Sequence, residues 1–146
     1  ISLFGAKIEQ MVFLAFLIPI VASMGGNAGM QTLAVTVRTI ATNDLTQNNF
    51  SSNVFKEFSI GILNGVIFAA ISAFIVQIWF QDSMLSIIIS ISMVLTMIIA
   101  GLFGILVPFS LKKMNIDPAI ASSVFVTTIT DVIGFVSFLG VGAYFL

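Results

Sequence analysis

Asp131 is the side chain with the clearest potential for chemistry, because it places a carboxylate in the middle of the last long apolar segment. An ionisable group near the centre of a bilayer costs about 2.5 kcal/mol or more and normally faces a water-filled path or a partner. The other acidic residues lie near the ends of apolar segments, where water reaches them: Glu9, Asp44, Glu57, Asp82 and Asp117. Asp131 is therefore the first candidate for a functional site.

A polar stripe runs along the same segment. Ser123, Thr127 and Asp131 are spaced i, i+4 and i+8, with Thr130 and Gly134 beside them, so a helix would bring them to one face. One interpretation is that the stripe only joins helices through hydrogen bonds, as Ser and Thr often do in membranes. The cost of burying the carboxylate favours a functional site instead.

Residues 23–31 (SMGGNAGMQ) form the second feature. Gly25 and Gly29 make a GxxxG pair that allows close helix packing, which is the simplest interpretation of this stretch. Asn27 and Gln31, at i and i+4, add two amides on one predicted face. Amides beside glycines are suited to hydrogen-bonding the water around a cation, so packing alone is a less complete account.

The composition places these features in a lipid bilayer. The chain is 59% hydrophobic and 8% charged, with a mean hydropathy of +1.19, whereas soluble domains carry about 25% charged residues. This composition predicts an all-α, polytopic bundle of transmembrane helices.

The residues that are missing restrict the chemistry. With no Cys and no His, the chain has no disulfide, no thiolate or imidazole metal site, and no usual nucleophile and base pair, so we predict that it is not an enzyme. A metal would meet oxygen ligands, which favours hard cations such as Mg²⁺ or Ca²⁺. The net charge of -1 points to no nucleic-acid partner.

Hydropathy predicts four spans, which cover residues 11–40, 57–80, 84–111 and 118–146. The first run is long for one straight span, and Pro19 and residues 25–29 give it the means to break. The polar residues 41–56 have the composition of an exposed loop. Residues 81–83 suggest a tight hairpin, and Pro108 with the lysines after it is expected to end the third span.

The fourth span has a clear start signal. Asp117 is well placed as an N-cap, and Pro118 is favoured at the first helical position.

Charge predicts the orientation. Four spans put loops 41–56 and 112–117 on one side, and those loops and their flanks hold four of the five basic residues: Arg38, Lys56, Lys112 and Lys113. By the positive-inside rule this side is cytoplasmic, which leaves residues 1–10 and the C-terminus outside. Nothing in the given chain has the pattern of a signal peptide, so at least one further span is expected before residue 1.

One carboxylate is a weak site for a divalent ion, but two would be a stronger one. If two copies met on a two-fold axis with Asp131 facing Asp131, their charges would compensate one Mg²⁺. Magnesium demands octahedral oxygen ligands and sheds water reluctantly, so a ring of oxygens sized for the hydrated ion would suit it.

In order and spacing, several pieces of the chain together resemble the transmembrane domain of the MgtE family of magnesium channels. They cover nearly all 146 residues: Pro19, residues 25–31, Arg38, residues 55–57, Pro108, Lys112 and Lys113, residues 117–119, and residues 130–134. The resemblance implies a homodimer in a bacterial inner membrane, with five spans per chain and a pore on the two-fold axis. Residues 1–146 would then be a single ion-conducting domain that lacks the family's first span and its cytoplasmic magnesium-sensing domains.

The resemblance also implies residue roles. Asp131 would bind hydrated Mg²⁺, the backbone carbonyls of Gly26 and Thr127 would face the ion, and Glu57 would lie near the cytoplasmic mouth. With the polar groups found above, the candidate metal-site residues are Asp131, Gly26, Thr127, Asn27, Ser123 and Glu57. Two positions depart from the family pattern, since Met30 and Ser123 stand where familiar members have Asn.

Three alternative functions are compatible with these sequence features. The first is a Mg²⁺ channel in which the hydrated ion lies between paired Asp131 carboxylates. The second is a transporter that couples Mg²⁺ to sodium or protons, with Asp131 binding the second ion. The third is a non-transporting assembly subunit in which the glycines only pack helices.

Overall fold

The computed structural model describes the backbone of residues 5–146 and the side chains from residue 12 onward. Its secondary structure over these residues consists of four long helices: α1 Gly5–Ala41, α2 Phe50–Phe80, α3 Ser83–Lys113 and α4 Pro118–Phe145. Each is long and apolar enough to cross a membrane. The predicted all-α bundle is therefore confirmed. Lys7, which the charge argument places on the outer side, lies outside the described side chains.

The helices alternate in direction, so one end of the bundle holds the loop after α1 and the loop after α3. We call it the basic end, because Arg38, Lys112 and Lys113 lie at helix termini there. Helices α1, α3 and α4 pack against one another, and α2 lies along α3. All four contribute to the main core: Leu14, Leu17, Val21, Ala69, Val76, Leu85, Ile88, Ile89, Met93, Met97 and Phe138.

Helix α1 continues without a break through Pro19 and residues 25–29, so the predicted interruption is wrong. A proline inside a membrane helix is tolerated where local adjustments satisfy the backbone groups that it frees. The glycines serve packing instead of bending. Gly25 faces Thr96 of α3, and Gly29 faces Val126 of α4, each with too little space for a side chain.

Helix α2 begins at Phe50, seven residues before the predicted start at residue 57. Its first turn is anchored to α3, because the ring of Phe50 stacks on that of Phe109 with centroids 4.1 Å apart. Residues 50–56 therefore extend the helix beyond the predicted span, and the loop is confined to residues 42–49.

The predicted hairpin at residues 81–83, the predicted start of α4 and the end of the third span at the lysines are confirmed, but Pro108 does not stop the helix. The carboxylate of Asp82 accepts hydrogen bonds from the backbone N–H of Met84 and Leu85, which caps α3 after the tight hairpin. That of Asp117 accepts one from Ala119 N–H, at 3.0 Å, and caps α4. Pro108 lies buried inside α3, and the helix continues to Lys113.

Candidate functional site

Small residues bring α1 and α4 into close contact. A Cβ at Gly29 would lie 3.0 Å from Val126 Cγ1 and 3.2 Å from Thr130 Cγ2. One at Gly134 would lie 3.2 Å from the Cα of Ala22. These contacts fix how α4 is rotated about its own axis, and they bury the side of α4 that carries Thr130 and Gly134.

This rotation leaves the proposed ion-binding groups on the surface. Asp131 and Thr127 are exposed, and Ser123 is half-buried. The polar stripe expected along α4 is therefore divided. Thr130 and Gly134 belong to the helix contact, whereas Asp131 and Thr127 face away from the single chain.

Helix α1 contributes the other side of the same surface. Asn27 and Met30 are exposed one turn apart, and Gly26 is half-buried between α1 and α4. The Thr127 hydroxyl donates to the thioether sulfur of Met30 at 3.8 Å. We call this region the α1–α4 surface, and it consists of Gly26, Asn27, Met30, Ser123, Thr127 and Asp131.

The two backbone carbonyls assigned to the ion lie within uninterrupted helices. Both therefore accept helical hydrogen bonds, and the carbonyl of Thr127 also accepts from the Thr130 hydroxyl at 3.0 Å. A carbonyl oxygen has two lone pairs, so the Gly26 carbonyl can still accept a hydrogen bond from water, whereas both lone pairs of the Thr127 carbonyl are used within α4. The Gly26 carbonyl is therefore suited to contact with the water shell of a cation.

The α1–α4 surface is chemically incomplete in one chain. It offers one carboxylate together with amide, hydroxyl and carbonyl oxygens, which suit hard cations. Among the described side chains, the helices bring together no group of three or more acidic, His or Cys residues that would form a dry metal cage.

Glu57 lies away from the α1–α4 surface. It lines a cleft of about 270 Å³ between α1, α2 and α3, to which α4 contributes no residue. We call it the Glu57 cleft, and its lining is Ala28, Gln31, Thr32, Val35, Lys56, Glu57, Ile60, Gly61, Asn64, Met97 and Gly101. The structure therefore does not bring Glu57 together with Asp131, although Glu57 does lie in the half of α2 nearer the basic end.

Sequence reasoning missed most of this cleft. Thr32 was not singled out, and its hydroxyl donates to Glu57 Oε2 at 3.2 Å. Gln31, which helical spacing groups with Asn27, lines the cleft instead, and so does Asn64. The usable signal was the spacing of Glu57 and Asn64, which are two turns apart with Gly61 between them.

The chain is similar to known proteins over 98–100% of its length. The MgtE family, described as a divalent cation transporter, matches residues 18–141. The chain is 33% identical over 146 residues to a magnesium transporter MgtE of Bacillus subtilis, and 30% identical over 146 residues to that of Enterococcus faecalis. It is 32% identical over 143 residues to that of Thermus thermophilus.

The matched regions cover 98–100% of this chain and 32% of the length of each relative. This is a family of transporters, in agreement with the prediction that the chain is not an enzyme. Both the extent of the match and the four apolar helices lead to one assignment: the chain belongs to the MgtE family of divalent cation transporters.

Proposed function

We propose that residues 1–146 form the ion-conducting domain of a Mg²⁺ channel. Two copies meet on a two-fold axis, and hydrated Mg²⁺ lies between their Asp131 carboxylates. The names of the relatives, magnesium transporter MgtE, support Mg²⁺ as the ion that is moved. The observation that carries the proposal is the exposure of Asp131 at the middle of a helix that crosses the membrane.

The energetic reason for a second copy follows from that exposure. A carboxylate facing lipid at this depth is costly, whereas one that faces a water-filled path is not. The second chain would supply another α1–α4 surface, which encloses water between the two copies and doubles the negative charge. Two carboxylates then compensate one divalent cation.

The ion keeps its water in this arrangement. The helical hydrogen bond of Gly26 leaves its carbonyl able to accept from water, and Asn27, Ser123 and the hydroxyl of Thr127 offer further polar groups. Mg²⁺ releases water reluctantly and prefers octahedral oxygen coordination, so a wet ring of oxygens suits it.

The proposed location is a bacterial inner membrane, with the basic end, which includes residues 41–56 and 112–117, in the cytoplasm and the C-terminus outside. Two helix termini at that end, those of α1 and α3, carry the positive charge of Arg38, Lys112 and Lys113 that the positive-inside rule associates with the cytoplasm.

Mg²⁺ flux into liposomes that contain the full-length protein tests the proposal. Asp131→Ala should abolish flux, and Asp44→Ala, which removes an exposed loop carboxylate, should leave it unchanged. Unaltered flux in Asp131→Ala would refute the site. Flux should also persist without a sodium or proton gradient, whereas strict dependence on either gradient would identify a coupled transporter.

A further inference from the structure

We infer that the Glu57 cleft is a second cation site, which binds a hydrated hard cation through the oxygens of Glu57, Thr32, Gln31 and Asn64. This inference goes beyond the proposed function, because the cleft shares no residue with the α1–α4 surface. It lies in the groove between α1 and α2 with α3 as its floor, within a single chain. It therefore needs no second copy.

Helix α3 holds two of these groups in place. A Cβ at Gly101 would lie 3.2 Å from the backbone oxygen of Glu57, and one at Gly104 would lie 2.7 Å from the Cβ of Thr32. Both glycines allow the neighbouring helix to approach closely. The Thr32 hydroxyl and the Glu57 carboxylate then meet at 3.2 Å. The carboxylate is thus positioned before any ligand arrives.

Two amides complete the oxygen set. Asn64 is half-buried on the same face of α2 as Glu57, and Gln31 lines the cleft from α1. In the part of the chain that the structure describes, no hydrogen bond joins either amide to another group of the protein. Gln31 is exposed and Asn64 is half-buried, so both amides can hydrogen-bond the water shell of an ion in the cleft.

The size of the cleft fits a cation with its water shell. Its volume of about 270 Å³ equals the liquid volume of about nine water molecules, at about 30 Å³ each. An octahedral hydrated cation carries about six. The cleft is therefore large enough for a hydrated cation.

Charge excludes an anion. The lining has two charged side chains, and Lys56 is exposed whereas Glu57 is half-buried. An anion inside the cleft would meet the Glu57 carboxylate directly. A cation is attracted to this carboxylate, and the exposed ammonium of Lys56 is screened by solvent and salt.

Cation-dependent stability of the full-length protein tests the site. The apparent melting temperature is measured in detergent against MgCl₂ and, separately, NaCl, with choline chloride holding ionic strength constant. Asp131→Asn serves as the parent, so that the α1–α4 surface does not contribute. At least one of the two salts should raise the melting temperature of this parent saturably, and the salt that does so identifies the ion.

Three further substitutions, each made in the Asp131→Asn parent, test the residues that line the cleft. Glu57→Gln should weaken the apparent affinity at least about tenfold, equivalent to losing about 1.4 kcal/mol of binding. Thr32→Val and Asn64→Leu keep the carboxylate and should weaken the apparent affinity less. These two variants test the site even if Glu57→Gln does not fold. Asp44→Asn is the matched control and should behave as the parent does. Equal responses in the parent and all three cleft variants would overturn the inference.

Discussion

Gly134 of α4 lies so close to Ala22 of α1 that a Cβ at position 134 would come within 3.2 Å of the Ala22 Cα. This contact, with those of Gly29, determines which side of α4 is buried. Asp131 follows Thr130, which is buried against α1, and so it lies on the exposed side. The position of the carboxylate is thus a consequence of glycine packing three residues away.

Gly134→Leu should therefore disturb the bundle. The side chain would meet the α1 backbone, which cannot move aside as a flexible side chain can, and overpacking of this kind costs about 1–3 kcal/mol. We expect a lower melting temperature and reduced Mg²⁺ flux. Gly140→Leu is the matched control, because a Cβ there meets nothing within 4 Å. Similar losses in both variants would show that helix packing at position 134 is not critical.

Asp131→Cys should create a soft-metal site shared by two chains. The chain has no native cysteine, and paired thiolates prefer soft metals to Mg²⁺. Cd²⁺ should bind to purified protein at about one ion for two chains and should inhibit any remaining flux. Val136→Cys places an exposed thiol elsewhere on α4 and serves as the control. Equal Cd²⁺ binding by the two variants would contradict the paired arrangement.

Met30→Asn should raise the initial rate of Mg²⁺ flux. The thioether of Met30 contacts the Thr127 hydroxyl on the α1–α4 surface, and an amide there can hydrogen-bond the water around the ion instead. One hydrogen bond contributes about 0.5–1.5 kcal/mol, so an increase of about 2- to 10-fold is expected at low Mg²⁺. Met114→Asn, at an exposed position in the loop after α3, should have no effect. An unchanged or lower rate in Met30→Asn would refute this role.

Asp82→Ala should destabilise the α2–α3 hairpin without altering ion selectivity. The carboxylate accepts hydrogen bonds from two backbone N–H groups, at 2.8 Å and 3.2 Å, and loss of such an N-cap costs about 0.5–2 kcal/mol. The melting temperature should fall, and Asp82→Ser should restore most of it. A Ser variant as unstable as the Ala variant would exclude capping as the cause.

Local chemistry explains which features of the fold could be predicted from the sequence. The N-cap at Asp117 depends on a hydrogen bond to a residue two positions away, so the sequence contains the whole signal. The four apolar segments likewise show directly in the composition. Asp131 is identified as unusual by its position alone.

The features that could not be predicted from the sequence depend on contacts between helices. The start of α2 depends on the stacking of Phe50 on Phe109, and the unbroken course of α1 depends on helices that pack against its glycines. The Glu57 cleft needs the relative rotation of three helices, which brings Thr32 to Glu57 across 25 residues of sequence. Helical periodicity places a side chain on a face, but it does not say which neighbour that face meets.

The unbroken course of α1 has a mechanical consequence. One side of this helix carries Asn27 and Met30, and another carries Gln31 and Thr32 in the Glu57 cleft. With no hinge between them, the helix moves as a stiff rod, and a rotation about its long axis displaces both sides together. Binding of a cation in the cleft would therefore rotate α1 and displace the α1–α4 surface directly, with no loop movement in between.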